Sequence, residues 1–142
     1  DYSVIVATQD WHPANHKSFA SQHVGKRPFD TVQLNGIDQI LWPDHCVQGT
    51  FGAELHKDLD TRRISAIFRK GMNPKIDSYS AFFDNNKLNN TGLHGYLQDK
   101  GIKELVFCGL AGDFCVAYSA NDAKALGYEV KILENCVKYI NN

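Results

Sequence analysis

The stretch Leu105 to Val116, LVFCGLAGDFCV, limits the folds open to this chain more than any other. Leu105-Val106-Phe107-Cys108 is a short apolar run of the kind that forms a buried strand. Gly109 and Gly112 supply a turn, and a helical period begins behind them. Val116, Ala117, Ala120, Ala123 and Leu126 fall on one helical face, and Gly127 closes the segment. Strands alternating with helices imply parallel strands joined by crossovers. The expected fold class is therefore α/β, a mostly parallel sheet with helices on both faces.

Cys115 is expected in the first turn of that helix, just beyond the carboxyl end of the strand. Backbone N–H groups and the positive end of the helix dipole favour a thiolate at such a position. Asp113 is the expected N-cap. The N–H groups between Gly109 and Cys115 are also suited to stabilising an oxyanion. The bland alternative is that Cys115 is one more small apolar filler.

Other segments follow the same alternation. Val4 to Thr8 reads as a strand, and Ile64 to Phe68 as a second one ending at Arg69-Lys70-Gly71. Between them, Gln9 to about Thr50 is polar and aromatic, too long for an idle connection and expected to be a functional loop region. A second irregular stretch, Met72 to Asn90, carries DSYSAF at Asp77 to Phe82. Thr91 to Lys100 is expected to be a helix with Leu93, Tyr96 and Leu97 on one face and Gly101 as its stop. Glu129 to Leu133 reads as the last strand.

In open parallel sheets the ligand crevice lies beyond the carboxyl ends of the strands. Asp10 and His12 follow the first strand, Lys70 the second and Cys115 the third. Three strands delivering such groups to one edge is the main physical argument for an active site. Asp10 and His12 are two apart, so an extended backbone points both side chains to one side. With the distant His45 or the nearby His16 they compose a divalent metal site with open water positions. Taken alone, Lys70 reads as a solvated surface lysine. Near Cys115, however, its ammonium would lower the thiol pKa. Most of the 6 histidines are expected to be ordinary surface or capping residues.

Composition narrows the class further. A chain of 142 residues suits one domain, 1–142, with a substantial core. A formal net charge of -1 gives no reason to expect nucleic acid or anionic membrane as a partner. No apolar run approaches a membrane span, and no stretch at the start resembles a signal peptide. The 4 cysteines form no C-x-x-C pair and no dense framework, which points to a reducing, cytoplasmic setting. The sequence opens on Asp1 and enters an apolar strand almost at once, so further residues are expected upstream.

Together, QDWHPANHKSF, WPDHCVQGT, FRKG followed by DSYSAF, and GLAGDFCV resemble the nicotinamidase (pyrazinamidase) branch of the isochorismatase-like cysteine hydrolases. The resemblance runs over nearly the whole chain, and DWHP and WPDHC separate this branch from metal-free relatives. It implies hydrolysis of nicotinamide to nicotinate and ammonia within NAD salvage, with pyrazinamide as an alternative substrate. By position, Cys115 matches the nucleophile and Lys70 the lysine of an Asp-Lys-Cys triad. Asp10, His12 and His45 match ligands of one divalent metal, zinc first, with iron or manganese as alternatives. His16 falls where some members have a further histidine ligand. Trp42 and Tyr79 match walls of the nicotinamide pocket, and the N–H groups of Ala111 and Cys115 match the oxyanion hole beside a cis Leu110-Ala111 peptide. Homo-oligomerisation is left open.

The resemblance departs at one place. The family's catalytic aspartate belongs to a D-x-Q-N-D-F type motif at the end of an N-terminal strand, and no such motif occurs in these residues. The expectation is a domain incomplete at its N-terminus. Two rivals remain: a hydrolase of another small amide or isochorismate-like substrate, and a degenerate metal-binding member without catalysis.

Overall fold

In the computed structural model, which describes residues 1–141, the chain divides into two compact units. The first runs from Asp1 to Asp77 and the second begins at Ser78.

The first unit is built on two parallel strands, β1 (Ile5–Asp10) and β4 (Ile64–Lys70), each close to the span expected from its apolar run. Their register ends with Asp10 opposite Lys70. Between them lies a feature that the loop expectation for Gln9 to Thr50 did not contain. Strands β2 (Thr31–Leu34) and β3 (Ile37–Ile40) form an antiparallel hairpin. Its turn is Asn35-Gly36, with φ of 52° and 85°. Two consecutive positive φ values define the two-residue turn whose twist matches paired strands, and Asn-Gly is its favoured dipeptide. The hairpin's burial alternates only weakly, so its pattern does not stand out from the polar sequence around it. The core of this unit includes Phe19, Leu41 and Trp42, with Gln39 also buried.

The second unit contains α1 (Leu93–Asp99), β5 (Glu104–Leu110), α2 (Ala117–Ala125) and β6 (Glu129–Lys138). Strands β5 and β6 are parallel. Gly101 follows α1 at φ 68° and Gly127 follows α2 at φ 95°, both as the expected stops. Val116, Ala120 and Ala123 bury the face of α2 that the period marked, alongside Phe82, Leu93 and Leu97. Strand β6 is 10 residues long and extends past the expected Leu133. Its pairing jumps from Phe107–Ile132 to Gly109–Val137, so β6 carries extra residues in a bulge. Exposed Glu134 and Asn135 fall in that bulge, which is why the apolar pattern stops early.

Candidate active site

The site in the first unit starts from register. Because Asp10 and Lys70 are partners at the ends of β1 and β4, their side chains meet, with Lys70 Nζ 2.5 Å from Asp10 Oδ1. The Trp11 N–H continues the pairing by donating to the Lys70 carbonyl at 2.9 Å. The Lys70 side chain is only 4% exposed, so its solvated-surface reading is corrected: the strand end carries it inward onto a carboxylate. Burial alone would raise the Asp10 pKa. The charge and hydrogen bond of Lys70, with help from His12 and His45, outweigh burial and hold the carboxyl below its ordinary range.

Beyond β1 the chain keeps pairing. His12 forms an isolated parallel bridge with Val47, donating its N–H to the Cys46 carbonyl and accepting from the Gln48 N–H. Phe19 forms a second bridge with Trp42. These two anchors hold the segment that carries His45 against the segment that carries His12. The donor atoms of Asp10, His12 and His45 consequently lie within 4.8 Å of one another.

Tautomers follow from the partners. His12 Nδ1 lies 2.8 Å from the Gly71 carbonyl and His45 Nδ1 lies 2.7 Å from the Pro43 carbonyl. A carbonyl only accepts, so both rings donate from Nδ1 and keep a lone pair on Nε2. His12 Nε2 faces Asp10 Oδ2 at 3.9 Å, while Oδ1 is held by Lys70. A carboxylate oxygen and two imidazoles, each ring fixed by a backbone carbonyl, fit the donor chemistry of a zinc-type site. Gly71 is part of that fixing. Its φ is 68°, and a Cβ there would overlap the His12 ring.

His16 belongs to a different arrangement. It is grouped with His12 and Asp77, all three buried. Its Nδ1 accepts the Ser18 backbone N–H at 3.1 Å and lies 2.8 Å from the Ser18 hydroxyl. A backbone N–H only donates, so the neutral ring carries its proton on Nε2, opposite to His12 and His45. That Nε2 is fully buried and makes no hydrogen bond of ordinary geometry among the described residues, although the Ile76 backbone lies close enough to raise the ring's pKa. Burial lowers the His16 pKa to about 4, against a raising influence from Asp77. In the sequence Asp77 opens DSYSAF and follows no clear strand. Its burial beside two histidines could not be read from a single acidic residue in an irregular stretch.

In the second unit, Cys115 sits in a turn wider than an α-helical one. Gly112–Val116 forms a π-turn that leads directly into α2. The Leu110-Ala111 peptide is cis. The Ala111 carbonyl accepts from both Phe114 and Val116 N–H groups, at 3.1 and 3.0 Å. Ala111 and Cys115 therefore bracket one turn, with Cys115 partly exposed. The expected N-cap is corrected. Ala111 occupies the cap position with no side-chain cap bond, and Asp113 lies inside the turn. The Asp113 carboxylate instead accepts from the Ile140 N–H, the Asn141 N–H and the Asn141 side-chain amide. Those bonds, led by Ile140, keep its carboxyl below the ordinary range. The reason is length: β6 runs far enough to present its following residues to Asp113.

The two aromatic residues assigned to pocket walls are each packed edge-on within their own unit. Trp42 meets Phe29 at 5.8 Å, and Tyr79 meets Phe114 at 5.5 Å and Tyr118 at 5.1 Å. Among the described residues, no helix is long and apolar enough to cross a membrane.

Comparison with known proteins gives concordant matches. The isochorismatase domain matches residues 5–142. The chain is 50% identical to the nicotinamidase of Escherichia coli (strain K12) over 137 residues, covering 96% of this chain. It spans 64% of that relative's length. The structure of an Acinetobacter baumanii nicotinamidase/pyrazinamidase superposes with a TM-score of 0.96 at 47% identity, covering 99% of this chain and 68% of that one. A Pyrococcus horikoshii pyrazinamidase solved in complex with zinc gives 0.73 at 36% identity, covering 97% and 64%.

Proposed function

The chain belongs to the isochorismatase domain family, and from that premise we propose that it hydrolyses nicotinamide to nicotinate and ammonia, as a cytoplasmic step of NAD salvage. Pyrazinamide is the expected alternative substrate. The observation that carries this reading is the convergence of Asp10, His12 and His45, with both imidazoles fixed by backbone carbonyls and Asp10 locked to Lys70. Relatives named for the same reaction support it.

Asp10, His12 and His45 would hold one divalent metal, zinc first, with iron or manganese as alternatives. The zinc complex of the Pyrococcus horikoshii relative supports that order. When bound, such an ion supplies a Lewis acid suited to the pyridine nitrogen of nicotinamide. His16 stands outside this donor set, because its Nε2 carries a proton rather than a lone pair. Lys70 keeps Asp10 ionised and fixes one of its oxygens, leaving the other turned toward His12.

By the family resemblance the chemistry falls to Cys115 as nucleophile, with Lys70 matched to the triad lysine and Trp42 and Tyr79 to the residues of the nicotinamide pocket. The thiolate attacks the amide carbonyl and forms a C–S bond. The resulting oxyanion is stabilised by the N–H groups of Ala111 and Cys115. The C–N bond then breaks, and nitrogen leaves as ammonia after gaining a proton. Water hydrolyses the thioester, releasing nicotinate and restoring the thiol. Proton delivery is the role that the family gives to the aspartate of its D-x-Q-N-D-F motif.

The test is ammonia release from nicotinamide by the protein beside its Cys115→Ala variant. Release that vanishes in the variant supports the amidase reading. Silence from both, repeated with the intact natural polypeptide and added zinc, would overturn it.

A further inference from the structure

The Cys115 turn is braced from outside by the segment that follows β6. Three observations meet there. Gly112 is buried, and a Cβ on it would come within 2.5 Å of the Tyr139 ring and 2.7 Å of Val137. One residue on, the Asp113 carboxylate receives the Ile140 N–H at 3.0 Å, the Asn141 N–H at 2.8 Å and the Asn141 amide at 3.0 Å. Strand pairing carries Leu110 to Lys138, immediately ahead of both contacts.

Within the turn, the Ala111 carbonyl receives two N–H groups, from Phe114 and Val116. That pattern sets its local shape. It does not set its position against the rest of the unit, because both partners belong to the turn. Position is set by the flanking β5 and α2, by Phe114 against Tyr79, by Gly112 against Val137 and Tyr139, and by Asp113 against Ile140 and Asn141. Asp113 is solvent-accessible, so its three bonds are not forced by the need to satisfy a buried charge. A side chain capable of capping the helix is turned away from it and onto a separate segment.

We propose that Asp113 is a positioning residue for Cys115, clamping the nucleophile turn to Ile140 and Asn141. The clamp fixes where the thiol and the Ala111 and Cys115 N–H groups stand with respect to an incoming carbonyl. This proposal rests on the reading of Cys115 as the nucleophile. Positioning errors of about an ångström lower rates by up to roughly 100-fold, so loss of the clamp should act on kcat and leave KM within about threefold.

The experiment compares Asp113→Ala, Asp113→Asn and Tyr139→Phe with the parent protein. Two readouts are taken: steady-state hydrolysis of nicotinamide, and the rate at which iodoacetamide alkylates Cys115. Asp113→Ala is expected to lower kcat about 10- to 100-fold and to change the alkylation rate in parallel. Asp113→Asn keeps one acceptor oxygen for the Ile140 N–H and should recover part of both. Tyr139→Phe retains the ring against Gly112, loses only the hydroxyl bond to Glu134, and should match the parent. Parent-like kcat and alkylation in Asp113→Ala would overturn the proposal. So would a rise in KM alone, or a loss that Asp113→Asn does not relieve. If Asp113→Ala fails to fold, Asp113→Asn decides by the same readouts. If the parent releases no ammonia, the alkylation series still judges the clamp, and the amidase reading fails separately.

Discussion

Asp10 and Lys70, 60 positions apart in sequence, are register partners at the last pair of β1 and β4, and their side chains form an ion pair at 2.5 Å. One carboxylate thereby gives Oδ1 to Lys70 and leaves Oδ2 turned toward the His12 Nε2 lone pair at 3.9 Å. Removing either member of a buried pair leaves the other's charge poorly compensated, which is more damaging than the pair's net worth. Asp10→Ala is expected to destabilise the protein by about 2–4 kcal/mol and to abolish zinc binding. Denaturant unfolding and metal content measure the two effects. A variant with parent-like stability would show that the pair is electrostatically idle.

Gly71→Ala tests the support behind His12. At φ 68° a side chain is strained, and the new methyl would overlap the ring that donates to the Gly71 carbonyl. The expected result is a loss of about 1–3 kcal/mol in stability and roughly 10-fold or more in zinc affinity. Calorimetric titration of the metal-free variant with zinc reads the second effect directly.

His16 should make the protein acid-sensitive. Its pKa in the fold is about 4, below its ordinary 6.5, because burial opposes the charged ring. The unfolded chain therefore binds the proton first as pH falls. Stability should decline from about pH 6.5 to about pH 4 and then level with respect to this group, by up to about 3 kcal/mol in total. His16→Asn should flatten that limb of the stability profile while retaining stoichiometric zinc. Loss of zinc in this variant would instead place His16 among the ligands.

Chelation separates ring anchoring from chemistry. Stripping the metal should raise KM or abolish nicotinamide binding, and added zinc should restore it. Equilibrium dialysis with labelled nicotinamide checks this. Binding that survives complete metal removal would contradict the anchoring role.

Where local chemistry sets structure, the sequence was legible. The strand, two-glycine turn and helix around Cys115 follow from apolar period and glycine position, and the cis Leu110-Ala111 peptide agrees with the resemblance. Asp10, His12 and His45 converge because extended backbone aligns the first two and paired segments deliver the third. The hairpin around Asn35-Gly36 was marked by its turn dipeptide but hidden by weak alternation on either side. Asp113 looked like a helix cap because its competing partners, Ile140 and Asn141, are 27 and 28 positions away. The burial of Lys70 and Asp77, likewise, depends on what packs over them, and composition near either residue carries no trace of it.

The pairing that brings distant segments to Asp10 also governs when the proposed metal site can exist. In the unfolded chain Asp10 and His12 are neighbours, but His45 and the Gly71 carbonyl are separated from them by loops of tens of residues. Closing such loops costs entropy that grows with the logarithm of their length. Zinc offered to the unfolded chain would meet a two-donor fragment, and the third donor, His45, arrives only when the His12–Val47 and Phe19–Trp42 bridges form. On the proposed ligand set ion capture would be a late event, and the rate at which zinc affinity develops during refolding should report the moment when those two bridges form.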